Sequence, residues 1–226
     1  MNMYTVFLQI LPLLLGAAIS PVATTGMITV LATSTTKTRT RGFIYLIGTT
    51  IPLLVLGIPG IFLFSKIDIM PKNNIITSWI DLLAGIVLLG LAVHLILKPK
   101  QKTTRPVKDD IKHTEGFGKI VGLGIALMIT NFSTLVLFVP SIKDIADSSL
   151  ESAEKLLLLL ISIIITLLMI VTPLVIYLLL PKKSESILKS LKLFINRHMR
   201  EITLSLLIVF GVYLLIRGFG VFGIKA

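Results

Sequence analysis

The 226-residue chain contains no cysteine, a single tryptophan and three histidines, and only 15% of its residues are charged. Without cysteine there is no disulfide framework, no thiolate metal site and no dithiol electron carrier. The shortage of charge, set against 54% hydrophobic residues, argues against a soluble domain and for a polytopic membrane protein whose core is the bilayer. Enzyme signatures are missing as well: there is no Walker loop, no dinucleotide glycine fingerprint after a strand, and no cluster of histidine and acidic ligands. The sequence therefore gives no reason to expect an enzyme, a metal or a cofactor. The N-terminal apolar run lacks a basic leader and a small-residue cleavage site, so it is read as a retained span and not a signal peptide.

What the chain has instead is long apolar runs. With about 20 residues needed to cross a bilayer, six spans are expected, at about Met3 to Thr33, Gly42 to Phe64, Ile75 to Leu97, Phe117 to Pro140, Leu156 to Leu180 and Ile202 to Val221. The connection after the first carries Lys37, Arg39 and Arg41; dense basic groups follow the third (Lys98 to Lys119) and the fifth (Lys182 to Arg200). The alternate connections carry only Lys66 with Lys72, and Lys143 with Lys155 amid Asp144, Asp147, Glu151 and Glu154. By the positive-inside rule the three rich connections are cytoplasmic and both termini lie outside the cytoplasmic membrane. Tyr4 and Trp79 fit an outer aromatic belt. The net charge of +11 flanks apolar spans, so it speaks for a membrane surface and against nucleic acid as a partner.

One stretch organises the rest: Gly16-Ala-Ala-Ile-Ser-Pro-Val-Ala-Thr-Thr-Gly26. Pro21 has no amide hydrogen, so the carbonyl of Ala17 loses its helical partner, and in lipid that carbonyl needs another donor. Ser20 reads as an N-cap and Pro21 as the first residue of a second half-helix. A related stretch, Ala126-Leu-Met-Ile-Thr-Asn-Phe-Ser-Thr134, recurs in the second half with Thr130-Asn131 standing in place of Ser20-Pro21. Late prolines at Pro59 and Pro173, and glycines Gly90 and Gly211, add weaker matches. The fold class expected is an all-α integral membrane protein of six transmembrane helices, built as a 3+3 inverted repeat with helices one and four broken. Residues 1–97 form the first repeat, 98–116 a basic cytoplasmic linker, and 117–226 the second repeat. The latter includes an amphipathic interfacial helix over 184–201. Gly48, Pro52, Gly57, Pro59 and Gly60 are expected to kink the second span, and the fifth to run uninterrupted to Thr172-Pro173.

The breaks have a definite electrostatic sign. In inverted copies the half-helices after both breaks begin near the midplane, so two positive dipole ends point inward. With Pro21 between them, Ser20, Thr24, Thr25, Thr130, Asn131, Ser133 and Thr134 add neutral donors, and such a site prefers an anion. Asp81 is a proton-coupling candidate because intramembrane carboxylates are costly; interfacial hydration is the alternative. His94 and Arg217 lie near span ends, where snorkelling is the ordinary reading. Gly85, Gly90 and Gly211 read as helix-packing residues. Lys189, Lys192, Arg197 and Arg200 share one amphipathic helix and form a candidate surface for lipid headgroups.

These motifs, taken in order, resemble a known family. Gly16-Ala-Ala-Ile-Ser-Pro-Val, the basic turn from Lys37 to Gly42, the Trp79 span ending in Lys98-Pro99 and Arg105-Pro106, Gly122-Leu-Gly-Ile-Ala-Leu-Met-Ile-Thr-Asn131, and Leu191-Lys-Leu-Phe-Ile-Asn-Arg-His-Met-Arg200 before the Gly211 span look like the glycolipid-addressing (GAP, or sulfolipid-addressing) family of the lysine exporter superfamily. The resemblance covers nearly the whole chain. It implies a six-span inverted-repeat protein associated with moving glycolipids or their precursors. The family commonly reads Asn-Pro at the second break, and here Phe132 follows Asn131, which predicts a less sharply interrupted second helix. Three functions are open: a flippase-like transporter of an anionic or polar-headed lipid, an exporter of a small polar metabolite or cation, and a non-transporting scaffold of a lipid-export complex. The partners implied are membrane lipids and a lipid-like anion, with a second copy of the chain or a lipid-synthesis protein as further candidates.

Overall fold

Prolines and polar residues interrupt some apolar runs and leave others whole, and this decides the outline of the protein. The computed structural model describes residues 2–32, 38–67, 75–97, 116–181 and 183–220. These residues are all-helical: α1 (Met3–Ala18), α2 (Pro21–Ala32), α3 (Thr38–Ile67), α4 (Ile75–Leu97), α5 (Phe117–Ile129), α6 (Phe132–Asp147), α7 (Ser152–Thr166), α8 (Leu168–Leu179) and α9 (Ser184–Gly220). The expected linker lies outside the described residues except for Gly116, as do Lys37, Lys72, Lys182 and the linker bases from Lys98 to Lys112.

Helices α3, α4 and α9 are each long and apolar enough to cross a membrane. Three further pairs pass the same test when joined: α1 with α2, bent by 55°; α5 with α6, bent by 74°; and α7 with α8, bent by 62°. The number of spans is thus three, or up to six if each bent pair is one. The outward surface agrees with a membrane setting. Val55 is 64% exposed, Leu63 62%, Val93 54% and Ile216 68%, a burden of apolar surface on three long helices that lipid, not water, would solvate. Trp79 and Tyr4 also face outward.

Pro52 and Pro59 lie inside α3, which continues through both as a single 30-residue helix. Three expectations change. The fifth span bends at Leu167 and not at Thr172-Pro173. At the bend Leu167 takes φ −83°, ψ −4° while keeping its bonds to Ile163 and Val171. The stretch 184–201 is no separate element but the first half of the 37-residue α9. At 1.5 Å per residue α9 is about 55 Å long, well beyond the about 30 Å of hydrocarbon in a bilayer. Finally, α6 continues through Pro140 to Asp147, which draws Lys143 and Asp144 into a helix.

Two close helix crossings hold the halves. A Cβ on Gly48 of α3 would lie 2.4 Å from the Val121 carbonyl, and one on Gly124 of α5 would lie 3.0 Å from Gly48. A Cβ on Gly85 of α4 would lie 3.0 Å from the Gly211 carbonyl of α9. Backbones meet at both places, which only small residues permit. Gly90, also read as a helix-packing residue, faces open space, for a Cβ there would meet nothing within 4 Å. Between the crossings lies an apolar core that includes Ile10, Met27, Tyr45, Phe138 and Ile170.

Candidate functional site

The chain ends α1 at Ala18 because Pro21 cannot donate to Ala17. Ile19 turns into extended backbone, φ −75° and ψ 92°. Ser20 then precedes Pro21, and its carbonyl accepts the first bond of α2 from the Thr24 amide at 3.0 Å, as an N-cap position does. At the second break Asn131 takes φ −85°, ψ 67° between α5 and α6, a conformation outside the helical region.

The two breaks meet. Asn131 Nδ2 donates to Ser20 Oγ and, at 2.8 Å, to Thr134 Oγ1. The Thr134 hydroxyl in turn donates at 2.9 Å to the carbonyl of Ala17, the acceptor that Pro21 had freed. Ser133 donates to Asn131 Oδ1 at 3.0 Å. Ser20 and Thr134 are fully buried and Asn131 nearly so. Each half thus completes the hydrogen bonding of the other, and the N-termini of α2 and α6 are brought side by side.

The remaining candidates divide. Thr24 and Thr25, in the first turns of α2, are buried, and their hydroxyls have no hydrogen-bond partner. Helical side chains lean toward the N-terminus, which directs these two toward the Ser20 end of α2. Thr130 is not part of the junction: it is exposed, and its hydroxyl folds back onto the carbonyls of Ala126 and Leu127. Thr166, at the third bend, is a buried hydroxyl without a partner that sequence reasoning missed, because nothing in its neighbourhood marks a break.

Asp81 is not an isolated carboxylate. Arg217 donates to both of its oxygens at 2.8 Å and to both oxygens of Asp144 at 2.8 and 3.1 Å. Lys143 lies 3.4 Å from Asp81 and 3.3 Å from Asp144. The carboxylate expected to carry a proton is therefore held in a four-charge cluster. Arg217 is no snorkelling residue, and Lys143 and Asp144 are not connection residues. A signal was present: a lone aspartate in an apolar run demands a counter-ion, and Arg217 is the base within the last run.

The basic surface on α9 also splits. Lys189 and Arg197 are exposed. Lys192 reaches inward to Thr29 Oγ1 at 2.9 Å, and Arg200 donates to the carbonyls of Leu95 and Ile96 at 2.8 and 3.2 Å. Arg200 thereby donates to carbonyls in the last turn of α4, a place where a basic side chain is favoured. Four residues read as one headgroup surface are two outward bases and two helix ties.

No curated protein and no solved structure matches the chain. The profile of one family does, that of the Sap, sulfolipid-1-addressing protein, and it aligns with residues 10–220. That span includes both breaks and all four members of the charge cluster, so the chain belongs to the sulfolipid-1-addressing protein family.

Proposed function

We propose that the protein moves an amphiphile with an anionic headgroup between the leaflets of the cytoplasmic membrane, by alternating access between two inverted three-span halves. The observation that carries this reading is the junction of the breaks, where two helix N-termini lie together beside the unpartnered hydroxyls of Thr24 and Thr25. Converging N-termini favour an anion. A cation there would meet like-signed partial charge with no carboxylate at either break, which is costly in a low dielectric. The pairing of Ser20 with Asn131, and of Gly85 with Gly211, brings first against fourth span and third against sixth, as two-fold related halves would. The family's lipid-related name points the same way.

In the described state Ser20, Asn131 and Thr134 are used on one another, so the junction is occluded. The headgroup would take over these donors as the halves rock apart, while its tail stays among outward Leu, Ile and Val. An apolar groove of about 280 Å³ along α3, lined by residues such as Phe43, Ile47 and Leu54, offers one bed for such a tail. The sequence contains no ATP-binding motif, so an ion gradient, the substrate's own gradient or a partner would drive the movement.

The test is a reconstituted vesicle assay that follows leaflet exchange of fluorescent phosphatidylglycerol and phosphatidylcholine, with radiolabelled lysine as the soluble cation. Faster exchange of the anionic lipid is expected, together with its loss in the Ser20→Ala/Pro21→Leu double variant, which restores a continuous helix. Equal exchange of both lipids, or lysine movement alone, would reject the reading.

A further inference from the structure

Four charges from three helices close on one another at the end of the protein away from the basic connections. Asp81 lies near the start of α4, Lys143 and Asp144 near the end of α6, and Arg217 near the end of α9. The side chains of Asp81, Asp144 and Lys143 are 5%, 5% and 6% exposed, and Arg217 is 18% exposed. Among the described residues two carboxylates face two bases, and the planar guanidinium forks onto both acids in the geometry for which arginine is suited.

Buried ion pairs are poor stabilisers, because the cost of removing charge from water offsets most of the attraction. Apolar side chains would hold the same three helices at lower cost. Ions provide a contact that is strong when made and readily hydrated once parted, so both arrangements are accessible. Its position gives that property a use. Asp144 lies twelve residues, about 18 Å, along α6 from Phe132, so the cluster grips the far end of the arm whose near end forms the junction of the breaks. The α4–α9 seam is fixed elsewhere, by the Gly85–Gly211 crossing and by Arg200 on the last carbonyls of α4. Helix α6 is then the element free to part.

We propose that Asp81, Lys143, Asp144 and Arg217 form an ionic latch that closes the face opposite the basic connections and opens when α6 leaves the α4–α9 pair to release the headgroup. This rests on the transport reading above. The chain has no cysteine, so single introduced thiols report without background. Ser141 is fully buried one turn before Asp144, and its hydroxyl donates within α6, to the Phe138 carbonyl; Thr49 is equally buried in α3. In nanodiscs, the Asp81→Asn/Arg217→Gln pair should raise labelling of Ser141→Cys by a charged, impermeant thiol reagent about tenfold and leave Thr49→Cys unchanged. Charge exchange, Asp81→Arg with Arg217→Asp, should return labelling to the slow rate. Should the neutral pair not fold, Arg217→Lys keeps the charge without the fork and should raise labelling about threefold. Unchanged labelling at Ser141→Cys, or an equal rise at Thr49→Cys, would overturn the latch. No substrate enters this measurement. Lipid exchange without the labelling contrast thus condemns the latch alone, and the contrast without lipid exchange condemns the transport reading.

Discussion

The first break is made by a proline and the second by an asparagine, and the one without a proline is the sharper, 74° against 55°. Proline acts by subtraction: it removes a donor and leaves the Ala17 carbonyl unsatisfied. Asparagine acts by substitution, since its side chain offers bonds that a continuous helix could not. Asn131 donates one amide hydrogen across the junction to Ser20 and the other to Thr134 in the first turn of its own α6, and accepts one bond from Ser133. The expectation that losing a proline softens the second break was wrong because it considered only the backbone. One break supplies an orphaned acceptor and the other supplies donors, so neither is complete without its partner.

The comparison breaks most readily at Asn131. The substitution Asn131→Leu removes both Nδ2 bonds and leaves Ser20, Ser133 and Thr134 to find others at a largely buried junction. Net bonds of about 1 kcal/mol each, with the added cost of stranded groups, put the loss at about 2–4 kcal/mol. Thermal unfolding in detergent should show a markedly lower midpoint, and leaflet exchange of phosphatidylglycerol should fall at least about tenfold, or 1.4 kcal/mol. A midpoint within a degree of the parent would mean that the asparagine only fills space.

Thr134→Val is the next step down. Valine matches the shape but leaves Ala17 without its donor and Asn131 without one acceptor, a cost of about 2 kcal/mol. In a Pro21→Ala background, residue 21 regains an amide hydrogen and Ala17 regains its helical partner. The same threonine substitution should then cost only about 1 kcal/mol, the remainder being the lost Asn131 contact. This double-mutant cycle sharpens the comparison, because it asks whether the hydroxyl of one half serves the proline of the other. Equal costs in the two backgrounds would show the breaks to be energetically separate.

These asymmetries track what could be read from the sequence. The Ser20-Pro21 break was legible because a missing amide hydrogen is a local, backbone property. Asn131 was legible only through its place in a repeat. The all-helical, apolar character followed from composition, but the bend at Leu167 was not foreseeable from residues that include no glycine or proline at that point. The charge cluster was hidden for a different reason: hydropathy reads Lys143 and Asp144 as a connection and Arg217 as a span end, whereas their partners stand 62 to 136 residues away. Pairing over such separations is tertiary, and only the lone Asp81 hinted that a counter-ion existed. Arg200 was misread likewise, because its partners are backbone carbonyls of another helix.

The smallest effect is expected from giving the second break the first break's residue. Phe132 is the first residue of α6 and is 59% exposed, so Phe132→Pro removes little buried surface. Proline is well suited to a first helical position, where the amide hydrogen has no intrahelical acceptor and φ is already near the value required. The usual objection is the clash with a preceding residue in the helical region, and it does not apply, because Asn131 has ψ 67°. The change in stability should stay within about 1 kcal/mol, with the Asn131–Ser20 and Thr134–Ala17 bonds retained. Lipid exchange should continue at close to the parent rate. The contrast with Pro21 is the informative part: there, proline creates the orphan that Thr134 satisfies, whereas at 132 it would only pre-set a turn that Asn131 already makes. Strong destabilisation by Phe132→Pro would show that the Phe132 amide or ring contributes to the junction, and that asparagine alone does not make the second break.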